Sequence, residues 1–325
     1  MNVTWKSLRA VLWFGTVAAS TVQAEPFVVR SQHPMMALFG LPAPLPARMP
    51  TPGRGGAALA VDWSNFATTE ARDHLAYTLD GEVVETRATL TYGLSQRFAL
   101  RGQVAYRSLG NGALDGTIEG WHDAFGLPNG SRDKLPEDQL LLEYQVSGVT
   151  AFQLEREAAG VADIPLALGY QLVESGSGAL AGWLSVKVPV GNAEDLTGSG
   201  AADVALSLAG ERRFGERWQA FGQVNLAWLG EGDLLPALQQ DHAWSVMGGA
   251  SWNAWRGLDL TAQLEANSGV FDSGLDDFDG GAVVLTFGGS YRTVGGWRFD
   301  LGLSEDIQAD ASPDVVFNLA AHRDF

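Results

Sequence analysis

The stretch Trp218–Trp228 reads WQAFGQVNLAW. Every second position gives Trp218, Ala220, Gly222, Val224, Leu226 and Trp228, and between them lie Gln219, Phe221, Gln223, Asn225 and Ala227. A period of two sends these sets to opposite faces of a strand. One face is apolar and closed by a tryptophan at each end, and the other is mostly amide. About ten residues at ~3.3 Å each, tilted by ~40°, rise roughly 25 Å. That is the height of the lipid-facing band of a transmembrane barrel, with an aromatic residue at each water interface. A strand in a soluble sandwich needs neither this length nor this spacing of tryptophans.

Similar segments recur. Twelve membrane-crossing strands are predicted, centred on 57–67, 82–94, 97–107, 161–173, 179–190, 202–214, 217–229, 242–254, 258–267, 281–292, 296–304 and 313–325. Leu258, Leu260, Ala262, Leu264 and Ala266 oppose Asp259, Thr261, Gln263, Glu265 and Asn267, and Trp297, Phe299, Leu301 and Leu303 oppose Arg298, Asp300, Gly302 and Ser304. Connections alternate between short (95–96, 174–178, 215–216, 256–257, 295–296) and long (68–81, 108–160, 191–201, 230–241, 268–280, 305–312). Short periplasmic turns and long outer loops are the pattern of outer-membrane barrels. The expected fold is therefore an all-β transmembrane antiparallel barrel of about 12 strands, with one short helix in a long outer loop.

The N-terminus fits an exported protein. Lys6 and Arg9 precede an apolar run over 10–20, and Val22-Gln23-Ala24 fits a cleavage site, so 1–24 reads as a signal peptide. The run is too short to span a bilayer as a helix. The expected location is the outer membrane of a Gram-negative bacterium. Residues 25–54 form a separate region carrying Pro26, Pro34, Pro42, Pro44, Pro46, Pro50 and Pro52 out of 13 prolines. Proline cannot donate to a sheet ladder, which excludes a strand. Phe27, Met35, Met36, Leu38, Phe39 and Leu41 nevertheless call for burial, so the segment reads as a plug in the lumen or a strap along its periplasmic mouth, with a loose tether as the alternative. Residues 55–325 form the barrel, with the long helical loop at 108–160.

Composition excludes several chemistries. There is no cysteine, hence no disulfide and no thiolate site. The formal charge is −17, with no basic tract, which argues against nucleic acid as a partner. The mean hydropathy of about zero is what alternating strands produce, since half of each faces water. The partners expected are outer-membrane lipid and lipopolysaccharide, the barrel-assembly machinery and a small-molecule solute. No cofactor is expected.

The longest loop holds the one convincing helical pattern. Leu114, Ile118, Trp121 and Phe125 make an apolar stripe, ended by Gly126 and Pro128. Gly112, Gly116 and Gly120 make a second stripe, which predicts close approach of the barrel wall or a ligand. Asp115, Glu119 and His122 share a third face, with Asp123 beside it. Two carboxylates and an imidazole at this spacing can bind a metal or move protons, but a solvated or hydrogen-bonded face of a helix packed into the barrel mouth is the preferred reading. The ligand or constriction set is thus Asp115, Gly116, Glu119, Gly120, Trp121 and His122. The inward charges Arg87, Arg101, Lys187 and Arg298 against Asp62, Glu85, Asp203, Asp259 and Glu265 read as an internal salt-bridge network in preference to an ion filter. Asp272, Asp276, Asp277 and Asp279 crowd one outer loop. Their spacing is not that of an EF-hand, which leaves a solvated acidic loop with calcium as the weaker alternative. No catalytic residue is assigned.

Three motifs carry a resemblance: R-x-Q-x-P at Arg30–Pro34, F-G-L-P at Phe39–Pro42, and L-D-x-x-I-E-x-W-H-x-x-F-G-L-P at Leu114–Pro128. Together they resemble a family of proteobacterial envelope proteins of unknown function, taken to be outer-membrane barrels. His33 stands where that family leads one to expect asparagine. The terminal Phe325 resembles the signal by which bacterial barrels are recognised for assembly, with Arg323 departing from the usual apolar residue. A looser likeness is to outer-membrane transporters of hydrophobic solutes, which combine a barrel with an N-terminal plug. The function expected is a channel or transporter for a small solute, its lumen constricted by the N-terminal segment and the loop helix. The alternatives are a non-transporting scaffold barrel and, further off, an outer-membrane hydrolase using Asp115, Glu119 or His122.

Overall fold

The computed structural model describes residues 25–126, 131–307 and 313–325. The signal peptide expected at 1–24 and the helix stop at Pro128 lie outside the described residues. In chain order the strands are β1 (Gly55–Arg72), β2 (Leu75–Gly93), β3 (Phe98–Gly110), β4 (Leu141–Val146), β5 (Val149–Leu154), β6 (Ala158–Val161), β7 (Ile164–Glu174), β8 (Gly178–Val188), β9 (Asp203–Phe214), β10 (Trp218–Trp228), β11 (His242–Trp255), β12 (Leu258–Asn267), β13 (Ala282–Arg292), β14 (Trp297–Asp306) and β15 (Val315–Asp324). Two helices interrupt them, α1 (Asp115–Phe125) and α2 (Asp276–Asp279).

Twelve of the strands form a closed antiparallel barrel. β1 pairs with β2, β2 with β3 and β3 with β7, the order then runs to β15, and β15 pairs back with β1. Closure pairs the sheet edges, as the hydrocarbon phase requires, apart from a short break in the β3 seam between Gly102↔Leu166 and Tyr106↔Val161. The alternation holds as read. In β10, Trp218, Val224, Leu226 and Trp228 are exposed on the outer wall, while Gln219, Phe221, Gln223, Asn225 and Ala227 are buried inside.

Two expectations about the outer loops are corrected. Residues 68–81 are not a long loop. β1 and β2 stay paired to Arg72↔Leu75 and rise well beyond the membrane band, turning at Asp73 and His74. The loop at 108–160 also carries sheet, since β4 joins β2, β5 joins β4, and β6 joins β3. Finally, the β3–β7 ladder ends at Gly102↔Leu166. Gln171 donates its backbone N–H to Arg97 of the β3 side. Every second residue of β7 therefore faces β3, and Pro165, the next in that series, has no N–H to give.

Candidate functional site

Most of residues 26–50 are buried in the barrel interior, whereas 51–54 are exposed and Gly53 and Arg54 bond to Gly93 through their backbones. Inward side chains, not a ladder, hold the interior part. Gln171 accepts from the N–H of Met49 (2.8 Å) and donates to the carbonyl of Ala47 (2.9 Å). Gln223 does the same with Leu45 (2.7 Å) and Ala43 (3.2 Å). Gln263 takes both groups of Phe27, at 3.0 and 3.3 Å. Asn225 and the Trp183 indole donate to the carbonyls of Pro42 and Pro46. A side-chain amide is a peptide group in miniature, so each glutamine satisfies one N–H and one C=O of the segment. The prolines reduce the number of buried N–H groups that need such a partner.

The motifs gain physical meaning here. Arg30 donates to the carbonyls of Ala37 and Phe39, folding the segment back on itself, and Gln32 donates to Asp62. In the F-G-L-P run, Gly40 donates to Asp203 at 2.7 Å, and a Cβ at this glycine would lie 2.7 Å from that of Asp203. Met35, Met36, Leu38, Phe39 and Leu41 pack beneath the outer loops against Leu196, Leu234, Val270, Phe271 and Phe278. The Phe39 and Phe271 rings meet edge-on with centroids 5.7 Å apart. The outer mouth is closed by apolar packing.

The inward charges form ion pairs. Arg87 binds Asp62 and Glu85, and Arg107 binds Glu85 at 2.5 Å. Lys187 lies 2.7 Å from Asp163 and 3.1 Å from Asp203, and also donates to the carbonyl of Leu38 (2.8 Å). Arg298 bridges Glu25 (2.5 Å) and Asp300 (3.0 Å). Asp259 accepts from Asn253, and Glu265 has Arg30 as its charged neighbour. Arg107, Asp163 and Asp300 were not in the expected set. Arg107 shares its parity on β3 with Arg101, so alternation alone would have found it. Arg101 differs from the rest. It donates to Thr91 at 2.9 Å and has no carboxylate within 4 Å among the described residues.

Arg101 lines three of the spaces around the segment. One is an inner cavity of about 70 Å³ bounded by Phe39, Leu41, Pro165 and Lys187. A second, of about 60 Å³, lies against Pro44, Arg48 and Phe221. The third is an open vestibule of about 470 Å³ at the end of the short turns, reaching Gly55, Gly296 and Phe325. By loop length that end is periplasmic.

The loop helix does not constrict the lumen, which corrects the expectation for Asp115, Gly116, Glu119, Gly120, Trp121 and His122. Leu114 and Ile118 pack on Val315 and Leu303. These two residues share outward parity with the exposed Phe317 and Leu301, so α1 lies on the outer wall. Two carboxylates fix it there. Glu82 of β2 accepts from the N–H groups of Ala113 (2.9 Å) and Leu114 (2.6 Å), the latter at the N-cap of the helix. Asp115 is held by Arg132 (2.5 Å), Asn65 (2.9 Å) and the Asp138 N–H (2.7 Å). Those contacts occupy both its oxygens. His122 is buried, Glu119 half-buried and Trp121 exposed.

Of the glycine stripe, only Gly112 is crowded: its φ is +70° and a Cβ would strike the Glu82 side chain. Gly116 and Gly120 face open space, where nothing lies within 4 Å of an added Cβ. Gly116→Ala and Gly120→Ala are therefore expected to stabilise α1 by about 1 kcal/mol each, from propensity alone. Slower proteolysis of this loop would show it, and faster proteolysis would mean that the helix packs on something at those glycines. In the acidic loop, Phe278 is buried, Asp279 turns inward to accept from the Ser273 N–H (2.8 Å), and Asp276 is exposed. Among the described residues no three His, Asp or Glu side chains converge as metal ligands. Phe325 exchanges two backbone hydrogen bonds with Gly55 at the periplasmic rim.

The architecture has known counterparts. An outer-membrane channel from Pseudomonas putida F1 aligns with a TM-score of 0.58 at 15% identity, over 87% of this chain and 99% of that one. The KdgM porin aligns with a TM-score of 0.45 at 8% identity, over 83% and 99%. The toluene transporter TbuX of Ralstonia pickettii aligns with a TM-score of 0.44 at 11% identity, over 85% and 90%. No curated protein matches the chain in sequence. The fold is that of an outer-membrane β-barrel. A family model matches residues 6–325, and the chain belongs to that family, described as protein of unknown function (DUF3187).

Proposed function

We propose that the protein is a gated outer-membrane channel for a small solute, with residues 25–54 as the gate inside the lumen. One observation carries this reading. The segment fills the barrel, packed by apolar side chains beneath the outer loops and otherwise bound by side-chain amides and ion pairs, with no disulfide to hold it. Each of those hydrogen bonds exchanges for one to water at a small net cost, about 0.5–1.5 kcal/mol. A wetted lumen can therefore release the segment stepwise while the barrel stays closed on itself. The shared fold with the Pseudomonas putida F1 channel supports the reading. A scaffold barrel would have no use for an open vestibule leading to a basic side chain at the foot of the plug.

The chain has no cysteine, so a lock is clean to build. Leu45→Cys with Gln223→Cys places thiols on the segment and on the wall it binds. Joining them with a short reducible cross-linker is expected to abolish single-channel conductance, and reduction to restore it. Conductance that is unchanged in the locked protein would show that passage bypasses the segment. No conductance in any state would favour the scaffold.

A further inference from the structure

The vestibule is basic in an acidic protein. Arg48, Arg54, Arg101, Arg292, Arg298 and Arg323 line it, with His322, Glu25 and Asp324, and Glu174, Glu211 and Asp300 stand behind them. Some of this charge is already matched, since Arg48 pairs with Glu174 and Glu211, and Arg298 with Glu25 and Asp300. Arg323 lies over the Trp297 ring. Arg54 and Arg101 have no carboxylate within 4 Å among the described residues. Arg101 sits deepest, where the vestibule meets the two inner cavities. Every other inward-facing cation of the expected set has an acid on the wall within 4 Å, whereas Arg101 donates to the Thr91 hydroxyl and has Glu25 as its charged neighbour at longer range. A guanidinium presents a fork of donors matched to an oxyanion, and low-dielectric walls strengthen what it binds.

We infer that the periplasmic vestibule is a binding site for a small multivalent oxyanion, with Arg101 as the group that receives it. The guanidinium of Arg101, which has no carboxylate within 4 Å among the described residues, sets the sign of the ligand. The volume of about 470 Å³ admits a di- or tricarboxylate or a phosphate and excludes a folded partner. This deepens the channel reading and rests on it only for what the bound anion does next, which is to wait at the foot of the gate.

The test measures binding and conductance separately on the full-length protein. In detergent, calorimetric titration with citrate and with inorganic phosphate is expected to show saturable binding of at least one, with glycerol showing none. Tighter citrate binding would assign an organic carboxylate, and tighter phosphate binding a phosphate ligand. Arg101→Gln is expected to weaken the binding by roughly tenfold, the worth of one charge-assisted hydrogen bond. Arg101→Lys should keep most of it, and both variants should retain the heat-modifiable mobility of a folded barrel. Raising the salt should weaken the wild-type affinity. Absence of saturable binding by both anions, or equal affinity in Arg101→Gln, would overturn the site. Binding without conductance would leave the site standing and remove the channel, and conductance without binding would do the reverse.

Discussion

Lys187→Met is expected to destabilise the protein by on the order of 3–5 kcal/mol. Lys187 is nearly fully buried, as are Asp163 and Asp203, the two acids it bridges. It also donates to the Leu38 carbonyl at 2.8 Å and to the Ser199 hydroxyl at 2.5 Å. One ammonium group thus ties the lumen segment, an outer loop and the wall together. Removing it leaves two carboxylates without a counter-charge in a place water reaches poorly, which costs more than the pair contributes when intact. The measurement is urea unfolding, together with the temperature at which the folded band is lost on a gel. Adding Asp163→Asn and Asp203→Asn to Lys187→Met should recover a large part of the loss, because the uncompensated charge is then gone. A single variant as stable as wild type would mean that this cluster is hydrated.

The barrel was legible because lipid enforces alternation. Where hydrocarbon lies outside and polar partners lie inside, β10 and β12 have no freedom to blur the pattern. Legibility ended where the lipid ends. In Thr68–Arg72 both faces of the extended β1–β2 pair meet loops or water, so the apolar alternation that marks a strand is missing, although the ladder continues. β4 and β5 went unseen for the same reason. The helix was legible and its docking was not. An apolar stripe on Leu114 and Ile118 states that a face is buried, but not on which side of a wall one strand thick. The Gly116 and Gly120 stripe looked like a contact and is open space. In the lumen, alternation found Arg87, Arg101, Lys187 and Arg298. It could not show that Gln171, Gln223 and Gln263 each clamp a peptide, since an inward amide reads equally well as a group facing water.

Acidification is expected to loosen the lumen segment through His33. This imidazole is 2% exposed; its Nδ1 accepts from the Met35 N–H at 3.3 Å, and its Nε2 has no hydrogen-bond partner among the described residues. Burial pushes its pKa down from 6.5 to about 4, with no neighbouring carboxylate to offset the loss of hydration. The released segment would bind a proton more readily than the packed one. The contribution of the neutral ring is therefore complete above about pH 6.5, is lost progressively as the pH falls towards 4, and changes no further below that. A depression of this size corresponds to on the order of 3 kcal/mol, comparable with several of the amide clamps together. Cleavage of residues 25–54 by an added protease should accelerate between pH 6.5 and 4 while the barrel stays folded. His33→Asn keeps a polar group of similar reach and cannot take up a proton in this range, so its cleavage should be flatter with pH. If His33→Asn follows the wild-type curve, the carboxylates of the outer loops govern the response and the buried histidine is only packing.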